Sequence, residues 1–426
     1  MNDRLKGLLA LSPIAVLLVV YLLGSLLAGD FYKVPVSVAF VLAAVYGVFL
    51  LRGRSVRERI GIFSEGASHG DIMYMVWIFC LAGIFASIAK AMGAVDATVD
   101  LMLKAVPGQF LPAGLFIASC FISMAIGTSV GTIVALTPVV TALAAELGAD
   151  NAWMVAVVVG GAFFGDNLSF ISDTTIAATQ SQGCMMKDKF KMNFFIVLPA
   201  ALGVLAIYLF SSPELNVTVG GGIEGWYKSL PYLLVIMLAL TGMNVLVVLL
   251  CGIVVSALTG VLAGSFDLVA VFTAAGEGLQ SMCELILVTL LAGGLMNVVK
   301  TAGGFDFLIR ALTHRISSRK GAEAVIALLT GLTNLCTANN TIAILTTGSI
   351  AKDLSGKYGI EPRRTASIMD TVSCFVQGVI PYGAQVLMAS GLAAVNPLQI
   401  IPHLYYPMLI GVMVVLAIVF GFPKLK

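Results

Sequence analysis

Residues Gly160–Thr175 read GGAFFGDNLSFISDTT and follow directly on the apolar run Trp153–Val159. The stretch places two carboxylates, Asp166 and Asp173, at the depth of the hydrophobic core of a membrane. Their spacing of seven residues would place both on one face of a continuous helix. Gly165 and the short polar side chains after it compete with helical hydrogen bonds, however, and predict that the helix unwinds. Broken backbone at that depth is tolerated only where protein encloses it, so the stretch predicts an internal binding site. Its candidate residues are Asp166, Asn167, Ser169, Ser172, Asp173 and Thr174.

The chain as a whole has the composition of a membrane protein. Hydrophobic residues make up 59% of 426, charged residues make up 11%, and the mean hydropathy is +1.02. A soluble chain has about 25% charged residues. Leu8–Ala28 is too long for a removed signal peptide and predicts a retained first helix. The scattered cysteines do not indicate a metal centre, and no phosphate loop or nucleic-acid motif is present. We expect a polytopic protein in a lipid bilayer, with no cofactor and no nucleic-acid partner.

A second polar interruption precedes this stretch. Phe110–Ala145 is apolar except around Gly127–Thr132, which reads GTSVGT. Each arm has roughly 14–18 residues, which is short for a spanning helix of about 20. We predict a re-entrant hairpin with its tip at Gly127–Thr132, where Thr128, Ser129 and Thr132 are candidate ligands.

The second half of the chain repeats the first at an offset of 209 to 211 residues. Leu81-Ala82-Gly83 recurs as Leu291-Ala292-Gly293, and the spacing of Thr128 and Thr132 recurs in Thr337 and Thr341. We therefore predict two repeats, residues 1–211 and 229–426, joined by an extracytoplasmic linker at 212–228.

The loop charges predict that the repeats are inverted. Arg52–Arg59 carries four arginines, a cytoplasmic mark, whereas the equivalent Ser265–Glu277 has no Lys or Arg. This orientation puts most of the 24 Lys and Arg in cytoplasmic loops, among them Lys187, Lys189 and Lys191. The predicted fold is all-α, with about ten transmembrane helices, two re-entrant hairpins and broken helices at the midplane. Both termini would be cytoplasmic, in the inner membrane.

The repeat predicts matching polar breaks in the second half, at Thr337–Thr341 and Asp370–Gln385. Inverted repeats with broken helices are typical of secondary transporters, which bind their substrates between the repeats. Hydroxyl, amide and carbonyl oxygens there suit a hard cation such as Na⁺, and a carboxylate withdrawn from water also binds a proton readily. The candidate residues are Thr337, Asn339, Asn340, Thr341, Asp370, Gln377, Tyr382 and Gln385.

Each candidate also has a structural interpretation. Asp166 and Asp173 would serve as caps of half-helices. Ser and Thr in apolar helices often bond back to the backbone, and Asp370 would contact a basic cytoplasmic loop. Ionisable residues in a membrane are functional by default, which favours a site. The proton carrier stays open between Asp166, Asp173 and Asp370.

Ile126–Thr132 (IGTSVGT) followed by Gly161–Thr175 resembles the NhaC family of Na⁺/H⁺ antiporters, within the ion-transporter superfamily. The family's pattern is roughly G-x-x-x-G-D-x-x-S-P-x-S-D-T-T. Phe170 replaces the proline, while Pro381 stands at the repeat-equivalent place. Ile380–Gln385 (IPYGAQ) departs from the antiporter pattern. The matching residues are Gly161, Gly165, Asp166, Ser169, Ser172, Asp173, Thr174 and Thr175.

The resemblance implies a cation-coupled secondary transporter rather than an enzyme, and a homodimer. In the first hypothesis, Na⁺ binds at Asp166, Asp173 and Thr128 and competes with H⁺ for the carboxylates. In the alternative hypothesis, the protein resembles relatives of the family that carry amino acids or small organic acids together with Na⁺ or H⁺. Na⁺ would then occupy the first half-site, and a small organic solute would bind at Asn339, Asn340, Tyr382 and Gln385.

Overall fold

The structure is a computed structural model that describes residues 3–28, 35–105, 110–170, 172–210, 225–241, 243–313 and 316–423. Regular secondary structure in these ranges is entirely helical. The first half contains α1 (Asp3–Ala28), α2 (Val36–Leu50), α3 (Val56–Ala67), α4 (Gly70–Ala91), α5 (Ala94–Ala105), α6 (Leu111–Ile126), α7 (Ser129–Leu147), α8 (Asn151–Leu168), α9 (Asp173–Gln182) and α10 (Met186–Phe210). The second half contains α11 (Leu230–Leu240), α12 (Val245–Leu262), α13 (Leu268–Ser281), α14 (Cys283–Thr301), α15 (Gly304–Thr313), α16 (Arg319–Thr337), α17 (Asn340–Tyr358), α18 (Pro362–Val379), α19 (Ala384–Ala393), α20 (Pro397–Ile400) and α21 (Tyr405–Phe420), with short 3₁₀ helices at Trp226–Ser229 and Ile401–His403.

The helices confirm an all-α polytopic membrane protein. Eight helical stretches in the described ranges are long and apolar enough to cross a bilayer, or nine if the bent pair Pro397–His403 and Tyr405–Phe420 counts as one span. This number is below the predicted ten because some apolar segments form short helices. The apolar helices α2, α6 and α11 have 15, 16 and 11 residues, whereas a perpendicular span needs about 20.

Two broken helices occupy the predicted places. The chain leaves helical geometry after Leu168, and α9 restarts at Asp173, where the Ser172 hydroxyl accepts a hydrogen bond from the Thr175 amide as an N-cap. The second break lies between Val379 and Ala384. Both breaks are therefore short interruptions between two half-helices.

The unwound part of the first break is shorter than predicted. Gly165, Asp166 and Asn167 belong to the last turn of α8, so the expectation that Gly165 begins the unwound segment is wrong. A Cβ at Gly165 would lie 2.4 Å from the Cβ of Ser123 on α6. The glycine is there because two helices approach closely, as small residues permit in membrane proteins. Asp370 likewise lies inside the continuous helix α18 rather than in the second break.

Two helical hairpins precede the broken helices. In the first, Gly127 is left-handed (φ 74°) and Thr128 is extended between α6 and α7. In the second, Ala338 is left-handed (φ 53°) and Asn339 is extended between α16 and α17. Hairpins are present at the two predicted tips, although Thr132 lies beyond the first tip, in α7, and the re-entrant course of both hairpins stays a prediction.

The two halves place equivalent contacts at a constant offset. Ser123 donates to the Ala162 carbonyl (2.6 Å), and 211 residues later Asn334 donates to the Ser373 carbonyl (2.6 Å). Both bonds join a hairpin to its broken helix. The predicted linker at 212–228 lies outside the described residues up to position 224, and the division into inverted repeats stays a prediction.

The broken helices are the most enclosed spans. The window Asn151–Gln182 is 88% buried and Pro362–Ala393 is 78% buried, whereas Val245–Leu262 is 28% buried. Large apolar side chains are exposed along α12, such as Val254 and Leu258, as expected of a helix that faces lipid. The interrupted backbone is therefore surrounded by protein, as its unpaired polar groups require.

Candidate functional site

The four polar interruptions meet at one cavity of about 600 Å³. The tips of both hairpins and both breaks contribute to its lining. Ten of the predicted site residues face it: Thr128, Ser129, Asp166, Asp173, Thr174, Asn339, Asn340, Thr341, Gln377 and Gln385. The sequence prediction thus identified residues that the fold brings together from positions more than 250 apart in the chain, such as Thr128 and Gln385.

Asp166 is the buried carboxylate of this cavity. It lies in the last turn of α8 and is 4% exposed. The Ser129 hydroxyl, in the first turn of α7, donates to Asp166 Oδ2 at 3.1 Å. Gln385 Nε2 in turn donates to the Ser129 oxygen at 3.0 Å. The carboxylate is therefore connected through one serine to the second half, and it lies beside the positive end of the α7 dipole.

The second half contributes neutral oxygens. Gln377, in the last turn of α18, donates through Nε2 to the Ala338 carbonyl at the second hairpin tip (2.8 Å). Its Oε1, and Oε1 of Gln385, are buried without a hydrogen-bond partner among the residues that the structure describes. Buried polar atoms are rarely left unpaired. Both glutamines line the polar cavity, and acceptor oxygens of this kind are ligands that a cation needs.

Asp173 differs from Asp166 in its exposure. It is the first residue of α9, its side chain is exposed, and it borders the cavity. A carboxylate at a helix N-terminus is favoured by the helix dipole. Thr174 follows it, within 3.1 Å of the Ser172 hydroxyl. Asp173 can therefore attract cations into the cavity, while Asp166 lies at its buried end.

Four predicted residues shape the breaks and tips without lining the cavity. Ser172 caps α9 and donates to the Asp166 carbonyl (3.0 Å), and Ser169 donates to the Met124 carbonyl of α6 (2.9 Å). Thr337 donates to the Asn339 carbonyl (3.0 Å) and Tyr382 donates to the Leu335 carbonyl (2.8 Å). Each hydroxyl satisfies a backbone carbonyl close to an interruption. These side chains hold the irregular backbone in place.

The remaining three predicted residues also lie off the cavity lining. Thr132 is fully buried and donates to the Thr128 carbonyl of its own helix (3.2 Å). Asn167 and Asp370 belong to a buried polar cluster behind the break, where Asn167 Nδ2 donates to Asp370 Oδ2 (3.1 Å). Tyr406 donates to Asn167 Oδ1 (2.9 Å) and anchors the cluster to α21.

Lys189 is the largest departure from the sequence analysis. Placing it in a solvated basic loop is wrong: it lies in α10, and its side chain is 1% exposed. Its Nζ is 2.8 Å from Asp370 Oδ2. The basic contact considered for Asp370 does exist, but it is a buried ion pair. No sequence pattern marked Lys189, because Lys187 and Lys191 flank it at the start of an apolar span.

Tyr74 and Asn244 are cavity residues that the sequence analysis missed. Tyr74 OH donates to Asn244 Oδ1 (3.3 Å), and both line the cavity from α4 and from the start of α12. Asn244 also caps α12. The polar turn between α11 and α12 was a weak signal for Asn244, and none pointed to Tyr74.

Asp166 is distinguished by its charge balance. Five charged side chains are buried in the described ranges: Asp166, Lys189, Glu323, Arg364 and Asp370. Asp370 is paired with Lys189, and Glu323 accepts two 2.7 Å hydrogen bonds from Arg364. Asp166 has no ion pair with any described side chain. An uncompensated buried charge is costly, so this carboxylate requires a bound proton or a bound cation.

A membrane-spanning helical fold with two hairpins and two broken helices around a polar cavity defines a secondary transporter. A sequence profile of the Na⁺/H⁺ antiporter family matches residues 7–212 and 226–422. The chain therefore belongs to this family, whose members are transporters and not enzymes. The resemblance to NhaC antiporters is confirmed, and Na⁺ and H⁺ are the ions that the family exchanges.

Individual relatives are distant but match along most of their length. The Na⁺/H⁺ antiporter NhaC of Alkalihalophilus pseudofirmus is 23% identical over 414 residues, 90% of this chain and 89% of the relative. The NhaC of Bacillus subtilis is 24% identical over 386 residues, 82% and 83% of the two chains. The malate-2H⁺/Na⁺-lactate antiporter of Bacillus subtilis is 20% identical over 425 residues, 92% and 89% of the two chains.

Proposed function

We propose that this protein exchanges Na⁺ for H⁺ at one site, in which the two ions compete for the Asp166 carboxylate. The observation that carries the proposal is the burial of Asp166 without an ion pair, whereas Asp370 and Glu323 are both paired. An intramembrane carboxylate must be neutralised when it is closed off from water. One proton or one Na⁺ fulfils this requirement, and the two exclude each other because they use the same oxygens.

The cavity offers further ligands for Na⁺. Oε1 of Gln377 and of Gln385 is unpartnered among the described residues, and Thr128 and Ser129 bring a hydroxyl and a helix start to the same wall. When Na⁺ leaves and a proton binds, Asp166 changes from an acceptor into a donor. A neutral acid of this kind needs no cation beside it. The site can therefore change the side of the membrane it faces when Asp166 holds Na⁺ or a proton. With an empty, ionised Asp166 the same change would bury an uncompensated charge, which is costly.

The wider arrangement is part of the same proposal. Inverted repeats, re-entrant hairpins and cytoplasmic termini in the inner membrane would place the cavity between two oppositely oriented halves. The constant offset of 211 residues between the Ser123–Ala162 and Asn334–Ser373 contacts supports the repeat. The exposed apolar side chains of α12 would face lipid or a second copy in a homodimer.

The direct test uses purified protein in liposomes that contain a pH-sensitive dye. Na⁺ is added outside with the membrane voltage clamped, and internal pH is recorded. Prompt alkalinisation is expected of the wild type, because each entering Na⁺ releases a proton from Asp166. In Asp166→Asn, which keeps the size but loses the charge, alkalinisation should fall to the level of empty liposomes.

Asp150→Asn is the matched control. Asp150 caps the opposite end of the same helix, where it accepts a hydrogen bond from the Ala152 amide, and it does not line the Asp166 cavity. Asn is an equally good N-cap, so exchange should be unchanged. Normal exchange by folded Asp166→Asn would refute the single-site proposal.

A second candidate is Na⁺- or H⁺-coupled transport of a small organic acid or amino acid. The specific observation in its favour is the cavity wall of amides from Asn339, Asn340, Gln377 and Gln385, which exceeds what a bare ion requires. A relative named as a malate-2H⁺/Na⁺-lactate antiporter matches over 425 residues, a length comparable to the 414 residues matched by an NhaC antiporter. Recording Na⁺-driven alkalinisation in the same liposomes with and without an organic solute separates the candidates. Alkalinisation that appears only when malate, lactate or an amino acid is supplied would favour this alternative.

A further inference from the structure

Lys189 lies at the first break and connects it to the second half. Its Nζ lies within hydrogen-bond distance of the Asn167 carbonyl (3.0 Å) and the Thr175 hydroxyl (2.6 Å), one on each side of the interruption between α8 and α9. The same atom is 2.8 Å from Asp370 Oδ2 on α18. A single ammonium group thus uses its three donors on the C-terminal end of α8, the start of α9 and a span of the other half.

Asp370 is held by amides as well as by Lys189. Asn193 and Asn167 donate to its Oδ2 at 2.8 and 3.1 Å, and Oδ1 has no partner among the described residues. The side chain is fully buried. The cluster lies directly behind the cavity, because Asn167 follows Asp166 in α8. Charges separated by so little low-dielectric protein influence each other strongly.

The cluster therefore determines the charge experienced by an ion in the cavity. With Lys189 protonated and Asp370 ionised, their charges cancel and Asp166 remains as one buried negative charge. Without the ammonium group, Asp166 and Asp370 would form a site with two buried negative charges. The number of charged ligands is what tunes a protein site between ions of different valence.

We propose that Lys189 is a specificity-determining residue, a tethered internal cation that neutralises Asp370 and so restricts the Asp166 site to monovalent ions. This inference rests on the proposed function of Asp166 and adds the basis of its valence selectivity. It also explains why a lysine is buried at a place where a neutral side chain would satisfy the Asn167 carbonyl less expensively.

Three variants test the sign of the effect in the liposome assay, with Ca²⁺ as the divalent probe. Lys189→Met leaves two negative charges, so Ca²⁺ should inhibit Na⁺-driven alkalinisation at a concentration at least about tenfold lower than in the wild type. Asp370→Asn leaves the ammonium group uncompensated. The Na⁺ concentration for half-maximal rate should then rise by about tenfold, without any gain in Ca²⁺ sensitivity. The double variant restores neutrality and should return both values to within about threefold of the wild type.

A purely structural ion pair predicts a different pattern. Both single variants would then lose activity in the same direction, and neither would gain Ca²⁺ sensitivity. Glu323→Gln provides the control, because it breaks the other buried pair, with Arg364, away from the cavity. It should lower thermal stability and leave ion selectivity unchanged.

The outcomes separate this inference from the proposed function. If wild type and Asp166→Asn behave as proposed but folded Lys189→Met is no more Ca²⁺-sensitive than wild type, the inference is wrong and the proposed function stands. If Lys189→Met does not fold, the comparison of Asp370→Asn with the double variant decides. Failure of the double variant to recover the Na⁺ affinity lost in Asp370→Asn overturns the charge argument. If Asp166→Asn still exchanges, the proposed function itself fails.

Discussion

The two broken helices have the same backbone and different chemistry. Each half-helix ends and restarts at positions 211 residues apart, at Leu168 and Val379 and again at Asp173 and Ala384. In the last turn before the break, the first half has Asp166 where the second half has Gln377. A carboxylate and an amide are similar in shape, but only the carboxylate exchanges a proton for a cation.

The hairpin tips repeat this division. In the structure, Thr128 and Ser129 at the first tip correspond to Asn339 and Asn340 at the second, so the tips match at an offset of 211 residues and the pairing of Thr128 with Thr337 from the sequence is two residues out of register. Ser129 bonds to the Asp166 carboxylate, whereas Asn339 accepts from the Ile342 amide as a cap of its own helix. In the proposed site, the first half therefore supplies the carboxylate and the second half supplies neutral oxygens. A symmetric backbone does not require a symmetric pair of ion sites.

Replacing Asp166 with glutamine, as in Gln377 of the second half, should have the largest effect. We expect Na⁺-driven exchange to fall at least about 100-fold, because the interaction of one unit charge at 4 Å is worth about 4 kcal/mol even at an effective dielectric constant of about 20. The measurement is the initial rate of alkalinisation in liposomes at equal protein content.

The comparison variant at the equivalent position of the second half is Gln377→Ala. It removes one hydrogen bond to the Ala338 carbonyl, worth about 1 kcal/mol, and one neutral oxygen from the proposed Na⁺ site. The rate should therefore fall by at least about fivefold, but far less than in Asp166→Gln, because no charge is lost. Equal losses in Asp166→Gln and Gln377→Ala would contradict the division of labour between the halves.

Much of this site could be predicted from the sequence, because it is encoded locally. Runs of Gly, Ser, Thr and Asn inside apolar tracts cannot continue a helix without competing hydrogen bonds. The tips at Gly127 and Ala338, and the breaks after Leu168 and Val379, all occur within such runs. The repeat then indicated which of them correspond, and the fold brings all four to one cavity.

The sequence does not predict the role of a residue whose burial depends on a partner far away in the chain. Lys189 is one of three lysines in a short basic segment, and only its contact with Asp370, 181 positions later, distinguishes it. Gly165 was misread for a related reason, since its role is decided by Ser123 on a neighbouring helix. Tyr74 enters the cavity from α4. Each of these depends on tertiary packing, which periodicity and residue type do not report.

Ser129→Ala should have an intermediate effect and tests the first hairpin tip. The substitution removes the donor to Asp166 and the acceptor of Gln385. Hydrogen bonds to charged groups are worth about 1.5–3 kcal/mol, so the Na⁺ concentration for half-maximal rate should change by about tenfold.

Thr132→Val is the matched control for Ser129→Ala. Thr132 lies one turn further along α7, is fully buried and bonds to the Thr128 carbonyl of its own helix. Valine keeps its shape, so the Na⁺ dependence should stay within about twofold of wild type, given that surplus side-chain bonds to helical carbonyls add little. A larger effect for Thr132→Val than for Ser129→Ala would show that the ion binds deeper in α7 than proposed.

Asp173→Asn should have the smallest effect of the carboxylate variants. Asp173 is exposed at the start of α9, and the equivalent helix of the second half, α19, starts with the uncharged Ala384. At an exposed helix start, the interaction of such a charge with the helix dipole amounts to about 0.3–1 kcal/mol. We expect the Na⁺ concentration for half-maximal rate to rise by about two- to fivefold, with the maximal rate preserved.

Ionic strength provides a second readout for Asp173. Because an exposed charge is screened over about 8 Å at physiological salt, the difference between wild type and Asp173→Asn should shrink when choline chloride is added, whereas the loss in Asp166→Gln should not. A complete loss of exchange in folded Asp173→Asn, insensitive to added salt, would instead make Asp173 the proton carrier. The functional asymmetry between the halves would then lie on the far side of the break, between Asp173 and Ala384, because those two positions differ in charge just as Asp166 and Gln377 do.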